Sequence, residues 1–309
     1  MGHKTEDLPI ETNANGHHWG MLTAMGVPPP RLSVVTVCRG NPIELGDTLS
    51  SIGSQEAPVG GQAGAPWLEW VVVDGSEDAS CQQLLAQHRQ SLRSRGVDLH
   101  YLSRPARGIY AGVNAGLAAS RGPWLQVLPA GDAHADAGSL ARLERHARSL
   151  SACRRGSARP GPAAVFGQAW VEVPGRALRW RSPDPGVRAI GRWLRHMVPC
   201  HSALLFEGNW ARRHAYGEAS AIYGDRTVMR AALAASGPEA YLAEPVCRFR
   251  LGGLSSGPAD PASLLRRWRD PALDRRGRAH ELVKALLFPL RGAYPDLMRA
   301  RALWLGWIC

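Results

Sequence analysis

At 309 residues, with 45% hydrophobic and 20% charged side chains, the chain has the make-up of an ordinary globular protein, which argues against disorder. No apolar stretch approaches the roughly 20 residues of a membrane-spanning helix, and residues 1–30 lack the apolar segment of a secretion signal, so the body is expected to be cytoplasmic. The net charge of +11 is carried almost wholly by arginine, since Lys4 and Lys284 are the only lysines; the guanidinium fork suits phosphates, although a joint excess of Ala, Gly, Pro and Arg also resembles a genome-wide bias.

Residues 1–30 show no apolar periodicity and stop at Pro28-Pro29-Pro30, which predicts a flexible arm. Leu32 to Cys38 (LSVVTVC) is a short β-branched run, as expected of a strand buried on both faces. A helix is predicted from Asn41, with Pro42 at its first position and Glu44 three residues after the cap, which approximates a capping box. A Gly/Pro-rich loop at 57–66 leads to a second strand over 68–73, ending in Asp74-Gly75-Ser76. A helix at about 78–94, a strand at 97–102, a helix at about 109–120 and a strand at 124–128 complete the alternation. That order predicts right-handed crossovers and a largely parallel α/β sheet, whose ligands bind at the carboxyl ends of the strands.

Beyond Asp136 the pattern changes to a helix at about 138–150, a loop at 154–162, and a hairpin over 163–173 and 176–181. The expected organisation is an arm (1–30), a nucleotide-binding half (31–136), a second half (137–257) and C-terminal amphipathic helices (258–309) broken by prolines. The six cysteines show no spacing suited to a zinc ribbon or a dithiol redox site and are expected to be reduced core residues.

Four segments carry the candidate chemistry: SVVTVCRGN (33–41), WVVVDGSEDAS (70–80), RPARGIYAGVNAGLAASRG (104–122) and LQVLPAGDAHAD (125–136). In this order and spacing they resemble the family-2 glycosyltransferases of the GT-A fold, particularly the bacterial exopolysaccharide and colanic-acid subgroup. On the residues alone, Asp74 ends a buried strand before Gly75, and its carboxylate can accept a hydrogen bond from a uracil or guanine ring nitrogen; capping the next helix is the alternative. The backbone at Thr36 and Val37 can meet a base edge, with Arg39 near the ribose or phosphate. Arg107 can reach a diphosphate oxygen, and Asn114 lies on a helix beneath the donor.

The resemblance implies more. Pro129-Ala130-Gly131-Asp132 is similar to the subgroup's short acidic motif, which makes Gly131 part of the donor site and Asp132 a ligand for Mg²⁺ or Mn²⁺, ions that favour hard oxygen donors. VPCHSALLF (198–206) is similar to its Pro-x-His-Gln stretch, with Ser202 at the glutamine position, so His201 would complete the metal shell or touch the acceptor. Asp225, within AIYGDRTVMRAAL (221–233), corresponds to the catalytic base, although an aspartate there can also cap a helix. FRLGGLSS (249–256) resembles a Gly-Gly-x-Ser segment that can fold over the donor. His134 and Asp136 read as exposed turn residues.

The implied activity is inverting transfer of a sugar from a UDP- or GDP-sugar to a glycan or lipid-linked acceptor. The alternatives are a sugar nucleotidyltransferase, for which the 38–41 loop is too short, and a non-catalytic binder of sugar nucleotides or polyanions. Trp268, Trp304 and Trp307 among arginines suggest peripheral contact with the inner face of the cytoplasmic membrane. Nucleic acid is not an expected partner, because aromatics are not interleaved with the basic residues and no binding module is recognisable.

Overall fold

The computed structural model describes residues 29–251, except 61–64, 156–159, 174, 176, 188, 196 and 220–222, together with isolated positions at 265, 268, 269, 275, 278 and 279. Nearly all of the arm, the Gly-Gly-x-Ser segment, and the expected C-terminal helices with Trp304 and Trp307 lie outside the described residues. No helix among the described residues is long and apolar enough to cross a membrane.

The first half follows the expected alternation: β1 (Leu32–Cys38), α1 (Pro42–Gly53), β2 (Leu68–Asp74), α2 (Ser80–Ser94), β3 (Val97–Ser103), α3 (Ile109–Ala119) and β4 (Trp124–Val127). These four strands are parallel in the order β3-β2-β1-β4. Every residue of β2 and β4 is buried, as a strand covered by helices on both faces must be.

The second half supplies β5 (Ala133–His134), α4 (Ser139–Arg154), β6 (Ala164–Glu172), β7 (Arg179–Ser182), α5 (Ile190–Leu194), β8 (Leu204–Glu207), α6 (Gly208–Arg213), α7 (Gly224–Ser236) and β9 (Tyr241–Arg250). β8 pairs antiparallel with β4, and the sheet continues through β6, β9 and β5, so both halves share one nine-stranded sheet. β6 and β7 form the expected hairpin.

Two glycines set how closely α3 approaches the sheet. A Cβ at Gly116 would lie 2.3 Å from Val35 Cγ1, and one at Gly112 would lie 3.2 Å from Val37 Cγ1. At the opposite end of the sheet from the motif loops, Glu69 is fully buried and accepts hydrogen bonds from Ser33 Oγ (2.5 Å), Arg121 N (2.8 Å) and Arg121 Nε (2.7 Å). This ties β1, β2 and the exit of α3 together, and Arg121 also pairs with Asp98 at 2.8 Å.

The capping box at Asn41 does not form. Pro42 does open α1, but the Asn41 side chain turns back and accepts from Arg39 N at 2.9 Å, making no cap bond to the helix. His134 is also not an exposed turn residue: it is buried in β5, with Nε2 2.9 Å from Gln126 Oε1. Burial pushes its pKa down to about 3, so the ring is neutral.

Candidate active site

The motif loops gather at the carboxyl end of the parallel strands. Gly75 N donates to Cys38 O (3.0 Å) and Gly40 N to Ser76 Oγ (2.7 Å), joining the loops after β1 and β2. A Cβ on Gly75 would come within 3.2 Å of the Ala106 Cβ, so the loop preceding α3 lies against the same point. On the other side of β1, Ala130 N donates to Val37 O (3.2 Å) and Gly131 N to Glu44 O (3.1 Å), which folds the loop after β4 over the start of α1. Gly131 has φ +96°, a left-handed conformation that favours glycine. Asp74 and Asp132 therefore flank the end of β1, one on the β2 side and one on the β4 side.

Asp74 is 1% exposed, and both of its oxygens are engaged. Tyr101 OH donates to Oδ2 at 2.8 Å, while Ser76 donates its backbone N–H (2.8 Å) and its hydroxyl to Oδ1. Its role within the protein is thus to brace the 74–76 turn. With Cys38 and Cys81 it forms the one cluster of three potential metal-ligating side chains found among the described residues. Burial and the neighbouring Asp74 push the Cys38 thiol far up, so Cys38 is a protonated thiol rather than a thiolate ligand. The backbone expected to meet a base is partly spent in the sheet: the carbonyls of Val37 and Cys38 are taken by Ala130 and Gly75, and the Thr36 hydroxyl accepts from Trp70 Nε1 at 2.9 Å. Arg39 and Arg107 are both exposed at the rim.

Asp132 is buried and held from three sides. Ser202 Oγ donates to its Oδ2, the Arg250 backbone amide bonds its carboxylate, and its own carbonyl accepts from Thr48 Oγ1 at 2.8 Å. Burial raises its pKa to about 7, against the opposing pull of Ser202 and Arg250. The carboxylate is therefore short of positive charge. No pair of other acidic, histidine or cysteine side chains among the described residues converges on it as a third and second ligand would. A lone carboxylate such as Asp132 is the kind of hard oxygen donor that a divalent cation accepts alongside phosphate oxygens and water.

The turn His201–Ala203 places a second group beside Ser202. His201 Nε2 lies 2.8 Å from Tyr216 OH, and burial pushes the imidazole pKa down. Tyr216 stacks on Tyr110 with ring centroids 5.8 Å apart. Asn114 holds this tyrosine in place: its Oδ1 accepts from Tyr216 N (2.8 Å) and its Nδ2 donates to Tyr216 O (2.9 Å) and Glu218 Oε1 (3.0 Å). Asn114 thus clasps the two halves of the protein together. Asp225 stands in the first turn of α7, and its charge acts on both His201 and Tyr216. Gly224 brings it in, since a Cβ there would meet Gly217 O at 2.8 Å and the Tyr110 ring at 3.0 Å.

One turn therefore lies between the two acids: Ser202 bonds Asp132, and His201 sits in the electrostatic field of Asp225. In comparison with known proteins, residues 33–184 match the model of Glycosyl transferase family 2. Residues 33–184 belong to glycosyl transferase family 2. The family-2 region holds β1 to β7, with Asp74, Arg107 and Asp132, while His201, Tyr216 and Asp225 lie beyond it. No curated protein matches the chain. Among solved structures, S. aureus TarS 1-349 in complex with UDP superposes with a TM-score of 0.51 at 14% identity, covering 85% of this chain and 72% of that one. The same protein in complex with UDP-GlcNAc gives 0.51 at 15% identity, over 85% and 73%. A mannosyltransferase from Pyrobaculum calidifontis, in complex with GDP-Man and Mn2+, gives 0.47 at 15% identity, over 93% and 69%. The TarS likeness shows the GT-A type of fold.

Tyr216, Ser202 and Arg250 are the site residues that motif reading did not single out for a role. Ser202 and Arg250 stood inside quoted segments, but their contacts are made between distant parts of the chain. Tyr216 lies in no motif.

Proposed function

We propose that this family-2 chain moves a sugar from a UDP- or GDP-sugar to a hydroxyl of a glycan or lipid-linked glycan, with inversion at the anomeric carbon, in exopolysaccharide- or lipopolysaccharide-type assembly. The observation that supports the reading is the 201–203 turn, where Ser202 bonds Asp132 and His201 meets the Tyr216 hydroxyl, with the charge of Asp225 acting on both His201 and Tyr216.

Asp225 is the base: its carboxylate takes the proton of the acceptor hydroxyl as that oxygen attacks the anomeric carbon in line with the departing nucleoside diphosphate. His201, kept neutral by burial, and Tyr216 fix the wall against which Asp225 works. Arg107, at the rim beside α3, donates charge-assisted hydrogen bonds to the diphosphate. Mg²⁺ or Mn²⁺ bound at Asp132 would offset the negative charge of the leaving diphosphate.

Asp225→Asn tests the assignment. Transfer should fall by at least about a hundredfold, the low end of what a positioned base contributes, while nucleotide affinity measured by calorimetry stays unchanged. Near-normal turnover in this variant would remove Asp225 from the role. A wild-type protein that binds UDP or GDP yet turns over no donor would instead be a non-catalytic binder.

A further inference from the structure

A hollow opens beside the β6–β7 hairpin. Its volume is about 540 Å³, and the described residues lining it are Glu172, Val173, Gly175, Ala177, Leu178, Arg179 and Arg250. That volume falls within the range of small-molecule sites. Glu172 is the pivot of the wall, because it is paired in register with Arg179 on β7 and with Arg250 on β9. Directly paired residues share a sheet face, so the three side chains stand in a row across neighbouring strands.

The partners of these three residues indicate what could bind. Arg250 is already neutralised by Asp47, at 2.9 Å. Arg179 rests over the Trp170 ring, 4.6 Å from its centroid, which stiffens the side chain while leaving its N–H fork available. Among the described residues neither Arg179 nor Glu172 forms an ion pair. Among the described side chains the wall therefore offers one carboxylate to accept, one guanidinium to donate, and no net charge, beside the apolar surface of Val173, Ala177 and Leu178. An anion would gain from Arg179 and lose to Glu172. A sugar ring satisfies all three surfaces, with neighbouring hydroxyls that both donate and accept and a C–H face for the apolar side. Arg250 links the hollow to the active site, since its backbone amide bonds the Asp132 carboxylate.

We infer that this hollow is the subsite for an uncharged pyranose of the acceptor glycan, with Glu172 accepting from and Arg179 donating to adjacent ring hydroxyls. The inference rests on the glycosyl-transfer reading above, and its test is kept separate from it. Methyl pyranosides of glucose, galactose and mannose, with methyl glucuronide as the acidic control, are titrated into the full chain by saturation-transfer NMR. UDP and GDP binding is measured on the same samples. At least one neutral pyranoside should bind, and Glu172→Gln and Arg179→Gln should each raise its Kd about tenfold, the loss expected for a hydrogen bond to a charged group, with nucleotide affinity unchanged. The subsite is wrong if no neutral pyranoside binds, if neither variant changes the Kd, or if the glucuronide binds more tightly than every neutral ring. Loss of UDP and GDP binding by the wild type would overturn the glycosyl-transfer reading instead.

Discussion

Replacing Asp132 by asparagine removes a carboxylate that the fold holds in an unfavourable setting. Burial raises its pKa from 3.8 to about 7, so the folded protein prefers it protonated and the unfolded chain prefers it ionised. Its contribution to stability is then fully present below the unfolded value and is lost as pH rises through the folded one. The whole window amounts to about 4 kcal/mol, of which about 2 kcal/mol falls between pH 5.5 and pH 8. Asparagine titrates nowhere in this range, so any pH-independent cost of losing the Ser202 contact cancels when the two pH values are compared. In metal-free buffer with EDTA, the stability of Asp132→Asn relative to wild type should improve by about 2 kcal/mol from pH 5.5 to pH 8. For a domain of this size that is a relative gain of about 4–8 °C in Tm. Thermal unfolding of both proteins at both pH values measures it. A relative stability that stays flat or moves the other way would show that Asp132 is solvated in the folded protein, and the account of the site would fail with it. The same variant should lose transfer activity, so gain in stability and loss of function would arise from one atom replacement.

Other outcomes follow from the same contacts. Glu69→Gln breaks a buried pairing with Arg121 and should cost about 3 kcal/mol by urea unfolding, yet leave UDP or GDP affinity untouched because the network lies at the far end of the sheet; a loss below about 1 kcal/mol would mean the pair is idle. Asn114→Ala removes both backbone bonds to Tyr216 and should destabilise by about 2 kcal/mol, with kcat falling more than nucleotide affinity; unchanged kcat would detach Tyr216 from catalysis. Transfer should stop in EDTA and return on adding Mn²⁺, and activity that survives exhaustive chelation would remove the cation from the scheme.

The parallel half of the fold was legible because its strands are apolar β-branched runs punctuated by Gly and Pro, and local chemistry alone produces those marks. LSVVTVC and LEWVVV needed no partner to be read as strands. The two-residue strand Ala133–His134 carries no periodicity, and His134 reads as polar until β9 and Gln126 close over it. Asn41 had the spacing of a capping box, yet its side chain is claimed by the amide of Arg39, a local competitor that the motif does not register. Asp132 and Asp225 could be nominated from their motifs, but their connection through Ser202, His201 and Tyr216 exists only after β8 pairs with β4. The double clasp of Asn114 on Tyr216 spans 102 residues, a separation that no window of sequence covers.

Under the proposed donor site, the two glycines within α3 limit how the protein could come to accept a different donor. With Val35 and Val37 seated directly against that helix, there is no slack through which it could shift to admit a bulkier group. Altered preference would have to arise in the exposed 104–107 segment or in the later half of the chain, where side chains can be exchanged without lifting a helix from its bed. Libraries aimed at retargeting the protein would do best to leave Gly112 and Gly116 untouched.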